Sequence, residues 1–190
     1  MIIIMNDKDE ELIEKYKNGE VDNLRILIER YTSHIYNYSF RFVGEMNAPD
    51  VTQEIFIKVW KNLKNFNQSK SSFRTWIFTI ARNTIIDFLR KKKSIVFSDL
   101  DNEDEIFEET LVDESSLPSE VIKKIEDKKI LNDLLSNLPD KYKEVLILYY
   151  QEEMTFAEIG EMLNKPLNTV KSYHYRAIQK LKELAPNYYQ

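Results

Sequence analysis

The 190-residue chain has no cysteine, three glycines, five prolines and two histidines. Without cysteine there is no disulfide framework, no thiolate zinc site and no thiol nucleophile. His34 and His174 alone argue against a histidine-based metal site. Average usage would supply about 7% glycine. Tight turns between strands need residues that tolerate positive φ, so the scarcity argues against an all-β fold and against a glycine-rich nucleotide loop. Long apolar runs are also missing. Met1-Ile2-Ile3-Ile4-Met5 is followed at once by the acidic Asn6-Asp7-Lys8-Asp9-Glu10-Glu11, whereas a signal sequence needs a basic start and a longer apolar stretch. No later stretch approaches the ~18 apolar residues of a membrane span. The expectation is a cytoplasmic protein without direct membrane insertion. What is present is 43% apolar and 12% aromatic residues, enough to build a core, in a chain expected to be all-α.

The net charge of −5 conceals a strong segregation. Residues 55–93 carry ten basic side chains and one acidic one, Asp87, whereas residues 94–120 carry ten acidic and no basic ones. Within 165–182, Lys165, Lys171, Arg176, Lys180 and Lys182 stand without an acid. Two basic islands separated by an acidic segment suggest two phosphate-facing surfaces. Solvated helix faces are the simpler alternative for one island, less so for two on patterned helices.

Helical periodicity organises the rest. A short helix is expected from Asp7 to Asn18, closing at Gly19. A longer one carries Val21, Leu24, Leu27, Ile28, Tyr31, Ile35 and Tyr38 at helical spacing and ends near Gly44. Pro49 suits the first turn of a third helix, which buries Val51, Ile55, Phe56, Val59 and Leu63. A polar loop over 64–70 leads to a fourth helix, capped by Ser71 or Ser72, with Phe73, Trp76, Ile77, Ile80, Ala81, Thr84 and Phe88 as its inner stripe. The acidic stretch 94–119 lacks sustained periodicity and reads as a linker. Beyond it, helices are expected over about Glu120–Ser136, from Pro139 with Tyr142, Val145, Leu146 and Tyr149 inward, from Thr155 to Leu163, and over Leu167–Leu184. The expected organisation is two small helical domains, 1–93 and 120–190, joined by the linker.

The second domain has the grammar of a helix-turn-helix. Thr155-Phe156-Ala157-Glu158 fits a capping box. Gly160 supplies a small side chain where two helices cross, Asn164 tolerates the left-handed turn, and Lys165-Pro166 forbids simple continuation. If Val170, Tyr173, Ala177 and Leu181 point inward, then Asn168, Lys171, Ser172, Tyr175, Arg176 and Gln179 point outward. Those groups suit base edges and phosphates, and Arg176 can bond guanine bidentately. His174, near the inner face, reads as a packing residue.

In the first domain, the fourth helix places Arg74, Phe78, Arg82, Asn83, Ile86 and Arg90 away from its core stripe, followed by Lys91-Lys92-Lys93. Cations interleaved with aromatics suit single-stranded nucleic acid, where charge tracks phosphate and rings stack on bases. On the third helix, Asp50, Gln53, Glu54, Ile57 and Lys61 lie opposite the core stripe. A polar face with one exposed isoleucine suggests a protein contact.

Together these residues resemble a bacterial RNA polymerase sigma factor of the sigma-70 family, extracytoplasmic-function (ECF) group. Asp50-Val51-Thr52-Gln53-Glu54-Ile55-Phe56-Ile57-Lys58-Val59-Trp60 is similar to region 2.2. Ser72-Phe73-Arg74-Thr75-Trp76-Ile77, Ile80-Ala81-Arg82-Asn83 and Asp87-Phe88-Leu89-Arg90 resemble regions 2.3 and 2.4. Leu138-Pro139-Asp140-Lys141-Tyr142-Lys143-Glu144-Val145-Leu146, Thr169-Val170-Lys171-Ser172 and Arg176-Ala177 resemble region 4. The resemblance spans about residues 10–184. It departs from the usual pattern at Gly160, Asn164 and Asn168, and Tyr173-His174-Tyr175 is unusually aromatic. It implies that Asp50, Gln53, Glu54 and Ile57 bind the β′ clamp helices of core RNA polymerase, with the β flap as a second contact surface. It implies that Asn65, Arg74, Trp76, Arg82, Asn83, Asp87 and Arg90 read a −10 promoter element as single strand, with the 65–71 loop holding an extruded base. It implies that Thr169, Lys171, Ser172, Tyr175 and Arg176 read a −35 duplex in the major groove. It also implies an anti-sigma factor as a partner, and no catalytic residue, metal, cofactor or small-molecule substrate.

Two other classes compete. A stand-alone helix-turn-helix regulator would dimerise on a palindrome, but no heptad seam or other dimerisation element is visible. A metal-dependent nuclease would cluster carboxylates beside a basic groove, but the basic helix offers only Asp87.

Overall fold

The computed structural model describes residues 7–92 and 133–185. The chain divides into two compact units, Met1–Val96 and Phe97–Gln190. The described residues of both are helical, without strands. The expected linker and most of the helix expected over 120–136 lie outside the described residues.

The described residues of the first unit form four α-helices: α1 (Asp9–Lys17), α2 (Asp22–Val43), α3 (Ala48–Asn62) and α4 (Phe73–Lys92). In α1, Asp9, Glu10 and Glu11 occupy the first turn and Lys15 and Lys17 the last, the arrangement that complements the helix dipole. Gly44, at φ 77°, closes α2, a backbone value that a side chain would disfavour. Pro49 sits in the first turn of α3. Ser72 caps α4, its Oγ accepting a hydrogen bond from the Thr75 N–H at 3.1 Å. The helices converge on Leu12, Leu27, Ile35, Tyr38, Ile55 and Ile77, all buried.

The buried stripe of α4 differs from the expected one. Phe78, expected to face outward, is 0% exposed, its ring edge-to-face with Tyr38 of α2 at 5.3 Å. Thr75 and Ile85 are also buried, whereas Trp76, Ile80 and Phe88 are only half-buried. The cause is that α4 packs on two helices at once. Tyr38 receives it on one flank, and on the other Lys58 of α3 donates to Thr84 Oγ1 at 3.2 Å. Two contact surfaces widen the buried arc beyond the single stripe of an amphipathic helix. Smaller differences occur just before α2, within it and within α3. Val21 precedes α2 and is exposed, and Ile28 and Phe56 are half-buried.

The loop between α3 and α4 is less polar inside than its composition suggests. Leu63–Asn65 form a 3-10 turn, and Phe66 beyond it is buried against Phe73 (5.6 Å between ring centres) and Trp76 (5.3 Å).

The second unit contains α5 (Asp140–Leu146), which continues as a π turn over Ile147–Gln151, then α6 (Phe156–Leu163) and α7 (Leu167–Leu184). Residues 133–136 form a helical turn ahead of them, and Leu135 and Leu138 join the core. Tyr149, expected inward, is half-buried. It stacks on Phe156 at 4.5 Å, which closes the junction of α5 and α6.

Candidate nucleic-acid interface

The turn between α6 and α7 is built almost entirely from backbone. Thr155 and Glu158 form a reciprocal capping box: the Glu158 N–H donates to Thr155 Oγ1 at 3.3 Å, and the Thr155 N–H donates to Glu158 Oε2 at 2.8 Å. At the other end, Asn164 adopts the left-handed conformation (φ 53°, ψ 46°). The Lys165 N–H donates to the Gly160 carbonyl at 2.9 Å and the Asn164 N–H to the Glu161 carbonyl at 3.2 Å. These are the two bonds of a Schellman motif. That turn explains Gly160. A Cβ there would lie 2.9 Å from the Lys165 carbonyl oxygen, with Val170 Cγ2 at 3.7 Å. The small residue serves the returning turn even more than the helix crossing.

From this turn α7 emerges with Val170, Tyr173, His174, Ala177, Ile178 and Leu181 buried. At 100° per residue the opposite side holds Asn168, Lys171, Ser172, Tyr175 and Gln179 in one strip. Lys171, Asn168 and Tyr175 are exposed, Ser172 and Gln179 half-buried. Thr169 and Arg176 lie on the flank of that strip and are half-buried. The Arg176 guanidinium reaches to 3.5 Å of the Tyr142 hydroxyl on α5. The structure thus brings Lys171, Ser172 and Tyr175 together and sets Thr169 and Arg176 beside them. Leu167, 45% exposed at the start of α7, joins the same end of the helix. His174 is a packing residue: its Nε2 lies 3.1 Å from the Tyr150 hydroxyl, with Tyr149 and Phe156 against the ring. Burial holds its pKa down at about 4, because charging it would forfeit hydration.

On α4 the expected residues divide. Trp76, Asn83, Asp87 and Arg90 recur at spacings of seven, four and three and share one side of the helix. Asn83, Asp87 and Arg90 are exposed, and Trp76 is half-buried beside Phe66 and Phe73. Arg82 lies on the flank. Arg74, expected outward, is on the side turned to α2. It is half-buried and near enough to Tyr31 to oppose the rise in that phenol's pKa. Burial first, and then the hydrogen bond to Asp9, push Tyr31 well above the ordinary phenol value. Asn65 is exposed in the 3-10 turn that starts the loop.

On α3, Asp50, Gln53 and Ile57 are exposed, Ile57 to 42%. Glu54 is half-buried and pairs with Lys58 at 3.0 Å. One turn on, Trp60 is 54% exposed. This indole enlarges the apolar part of the α3 face, and its signal was the spacing of three from Ile57. The loop anchor Phe66 is a second residue that helical periodicity does not mark. Its signal was an aromatic residue alone in a polar loop, seven residues ahead of Phe73. Among the described residues no group of three His, Asp or Glu side chains is placed to hold a metal ion, and no helix is long and apolar enough to cross a membrane.

The known proteins that share this architecture settle the family. Residues 27–95 match Sigma-70 region 2 and residues 128–181 match Sigma-70, region 4. The chain is 32% identical over 175 residues to the ECF RNA polymerase sigma factor SigW of Bacillus subtilis, spanning 90% of this chain and 93% of SigW. It is 30% identical to the ECF RNA polymerase sigma-E factor of Escherichia coli K12, with 89% and 90% covered. Among solved structures, CnrH in complex with the cytosolic domain of CnrY aligns with a TM-score of 0.69 at 20% identity, covering 95% of this chain and 99% of CnrH. The sigma factor RpoE in complex with the anti-sigma factor NepR from Bartonella quintana aligns with a TM-score of 0.64 at 20% identity, covering 85% and 96%. The chain belongs to the ECF group of RNA polymerase sigma factors. Membership favours a sigma subunit over a stand-alone helix-turn-helix regulator.

Proposed function

We propose that this sigma factor carries its clamp-binding, −10 and −35 surfaces on three separate helices. The α3 face of Asp50, Gln53, Glu54 and Ile57, extended by Trp60, binds the β′ clamp helices of core polymerase. The loop from Asn65, with Trp76, Asn83, Asp87 and Arg90 and flanked by Arg74 and Arg82, reads the −10 element as single strand. The strip of Lys171, Ser172 and Tyr175, with Thr169 and Arg176 at its edge, enters the major groove at −35. The second unit also meets the β flap. The protein contributes specificity and strand capture, works in the cytoplasm and has no catalytic chemistry of its own. An anti-sigma factor is its negative partner, as NepR is the partner of RpoE in that complex.

The observation that carries this reading is the occurrence, in one chain of this family, of two outward strips of different chemistry. The α4 strip has an indole beside an aromatic cluster and suits unstacked bases. The α7 strip leaves a helix-turn-helix and suits base edges in a duplex.

The test is transcription in vitro with core polymerase on fragmented genomic DNA, mapping 5′ ends. Starts that share paired upstream motifs and vanish without the chain are expected. Gln53→Ala with Glu54→Ala should weaken core binding without unfolding the chain, and unchanged affinity would remove the clamp assignment. Arg176→Ala should cost about 1–3 kcal/mol of discrimination at one −35 base pair. Equal use of native and scrambled −35 sequences by the unaltered protein would refute −35 reading altogether.

A further inference from the structure

The loop that follows Asn65 is held at both ends. At its far end Ser72 caps α4. At its near end the Phe66 ring is wedged between Phe73 and Trp76, and Phe73 in turn meets Tyr31 of α2 edge-on at 5.3 Å. Between these anchors the Ser69 N–H and hydroxyl donate to Asn67 Oδ1 at 3.0 and 2.8 Å, and the Lys70 N–H donates to the Asn67 carbonyl at 3.1 Å. Residues 67–70 are all exposed. The loop tip is therefore an internally bonded turn whose placement depends on the Phe66 hinge.

That hinge is reached from a helix carrying none of the residues assigned to DNA. The Lys17 ammonium, at the end of α1, donates to the Phe66 carbonyl at 2.7 Å across 49 residues of sequence. Phe66 is extended (φ −61°, ψ 133°), which turns its carbonyl out of the 3-10 turn and towards α1. The base of Lys17 is fixed, because α1 buries Leu12 and Ile13 in the core. Its first turn is tied to α2 as well: Asp9 accepts from the Tyr31 hydroxyl and pairs with Arg30. The two ends of α1 thus grip two parts of one network. Asp9 bonds Tyr31, Tyr31 abuts Phe73, Phe73 abuts Phe66, and Lys17 holds the Phe66 carbonyl.

We infer that Lys17 is a positioning residue for base reading: through the Phe66 carbonyl it fixes the 66–72 loop in the shape that receives an unstacked base. This rests on the proposed reading of the loop at −10. A charge-assisted bond to a backbone carbonyl is short and directional. Lys17 itself is exposed, so its bond adds little to global stability. Its effect falls on pre-organisation of the loop, which sets how much binding energy is lost in ordering it around a base.

The experiment uses the full chain assembled with core polymerase and single-stranded non-template oligonucleotides. These carry the −10 sequence found by start-site mapping, each position replaced in turn. The unaltered holoenzyme should discriminate strongly at one position or more. Lys17→Met should lower that discrimination about three- to tenfold, the range of one modest hydrogen bond, and Lys17→Arg should retain most of it. Core affinity, −35 discrimination and the urea midpoint should match the unaltered protein. Undiminished discrimination by Lys17→Met overturns the inference alone. So does a loss spread equally over −10, −35 and core binding, which would mark a merely structural lysine. If the unaltered holoenzyme discriminates at no −10 position, the loop reading falls and the inference with it.

Discussion

The two units hold their proposed reading elements by different means. In the second unit the turn before α7 is a local object. A capping box, a left-handed Asn164 and a Schellman pair span Thr155 to Lys165, and one glycine makes room for the returning carbonyl. In the first unit the loop before α4 is a non-local object. Its shape depends on Phe66 finding Phe73 and Trp76, on Tyr31 from α2 and on Lys17 from α1. A local turn aims a rigid helix, which suits a duplex whose geometry is already set. A loop fixed from several helices can leave its tip exposed for a base that must first be unstacked. The helices themselves differ in the same sense. α7 has one buried face and a broad outward strip, whereas α4 is gripped by both α2 and α3 and leaves a narrower one.

The largest expected effect probes the grip on α4. Phe78→Ala should destabilise the first unit by about 3–5 kcal/mol, seen as an early transition in denaturant unfolding followed by tryptophan fluorescence. A cost below ~1 kcal/mol would mean that the Tyr38 contact does not define the α4 face. Next comes a pH effect confined to the second unit. His174 has its pKa lowered from 6.5 to about 4 by burial. Below pH 6.5 the unfolded chain takes up a proton that the folded one refuses. Stability is therefore full above pH 6.5 and falls as pH drops towards 4, by roughly 3 kcal/mol in all. His174→Phe should flatten this part of the profile, and urea midpoints between pH 7 and pH 4.5 measure it. An unaltered slope in the variant would assign it to other groups.

The local turn supplies the third contrast. Gly160→Val should cost about 1–3 kcal/mol by overpacking, and Gly160→Ala less, because only one carbon must clear the Lys165 carbonyl. Equal costs would point away from that close approach. The smallest effects compare the two caps. Thr155→Ala should cost about 1 kcal/mol, since it breaks a reciprocal box. Ser72→Ala, which removes a one-way cap on a long, doubly packed helix, should cost less. Urea unfolding followed by far-ultraviolet circular dichroism, which sees the helices of both units, checks both, and a reversed order would mean that loop anchoring, not helix packing, secures the start of α4.

These contrasts follow what can be read from a chain. The α7 face was legible because one surface is buried and 100° per residue does the rest: Val170, Tyr173 and Ala177 inward place Lys171, Ser172 and Tyr175 outward. Thr155 and Asn164 announced their turn for the same reason, since each acts within five residues, whereas Gly160 reads from the sequence as a helix-crossing residue and is held first by the Lys165 carbonyl. Arg74 and Phe78 misled because their environment comes from α2. In isolation they continue a basic, aromatic face; packed, Phe78 meets Tyr38 and Arg74 turns to Tyr31. Phe66 gave only a faint signal, and Lys17 gave none, because nothing near either residue in sequence names the partner.

The sequence by itself determined the helices, their caps and glycine stops, the segregated charge and the order of motifs that marks a sigma factor of the ECF group. These depend on backbone propensity, periodicity and local hydrogen bonds, which act over a few residues. Tertiary structure alone decided which side of α4 faces outward, that Arg176 stands at the edge of its strip beside Tyr142, and that α1 reaches the Phe66 carbonyl. Those features come from contacts between residues far apart in the chain, whose meeting is fixed by the packing of whole helices rather than by any pattern within one of them.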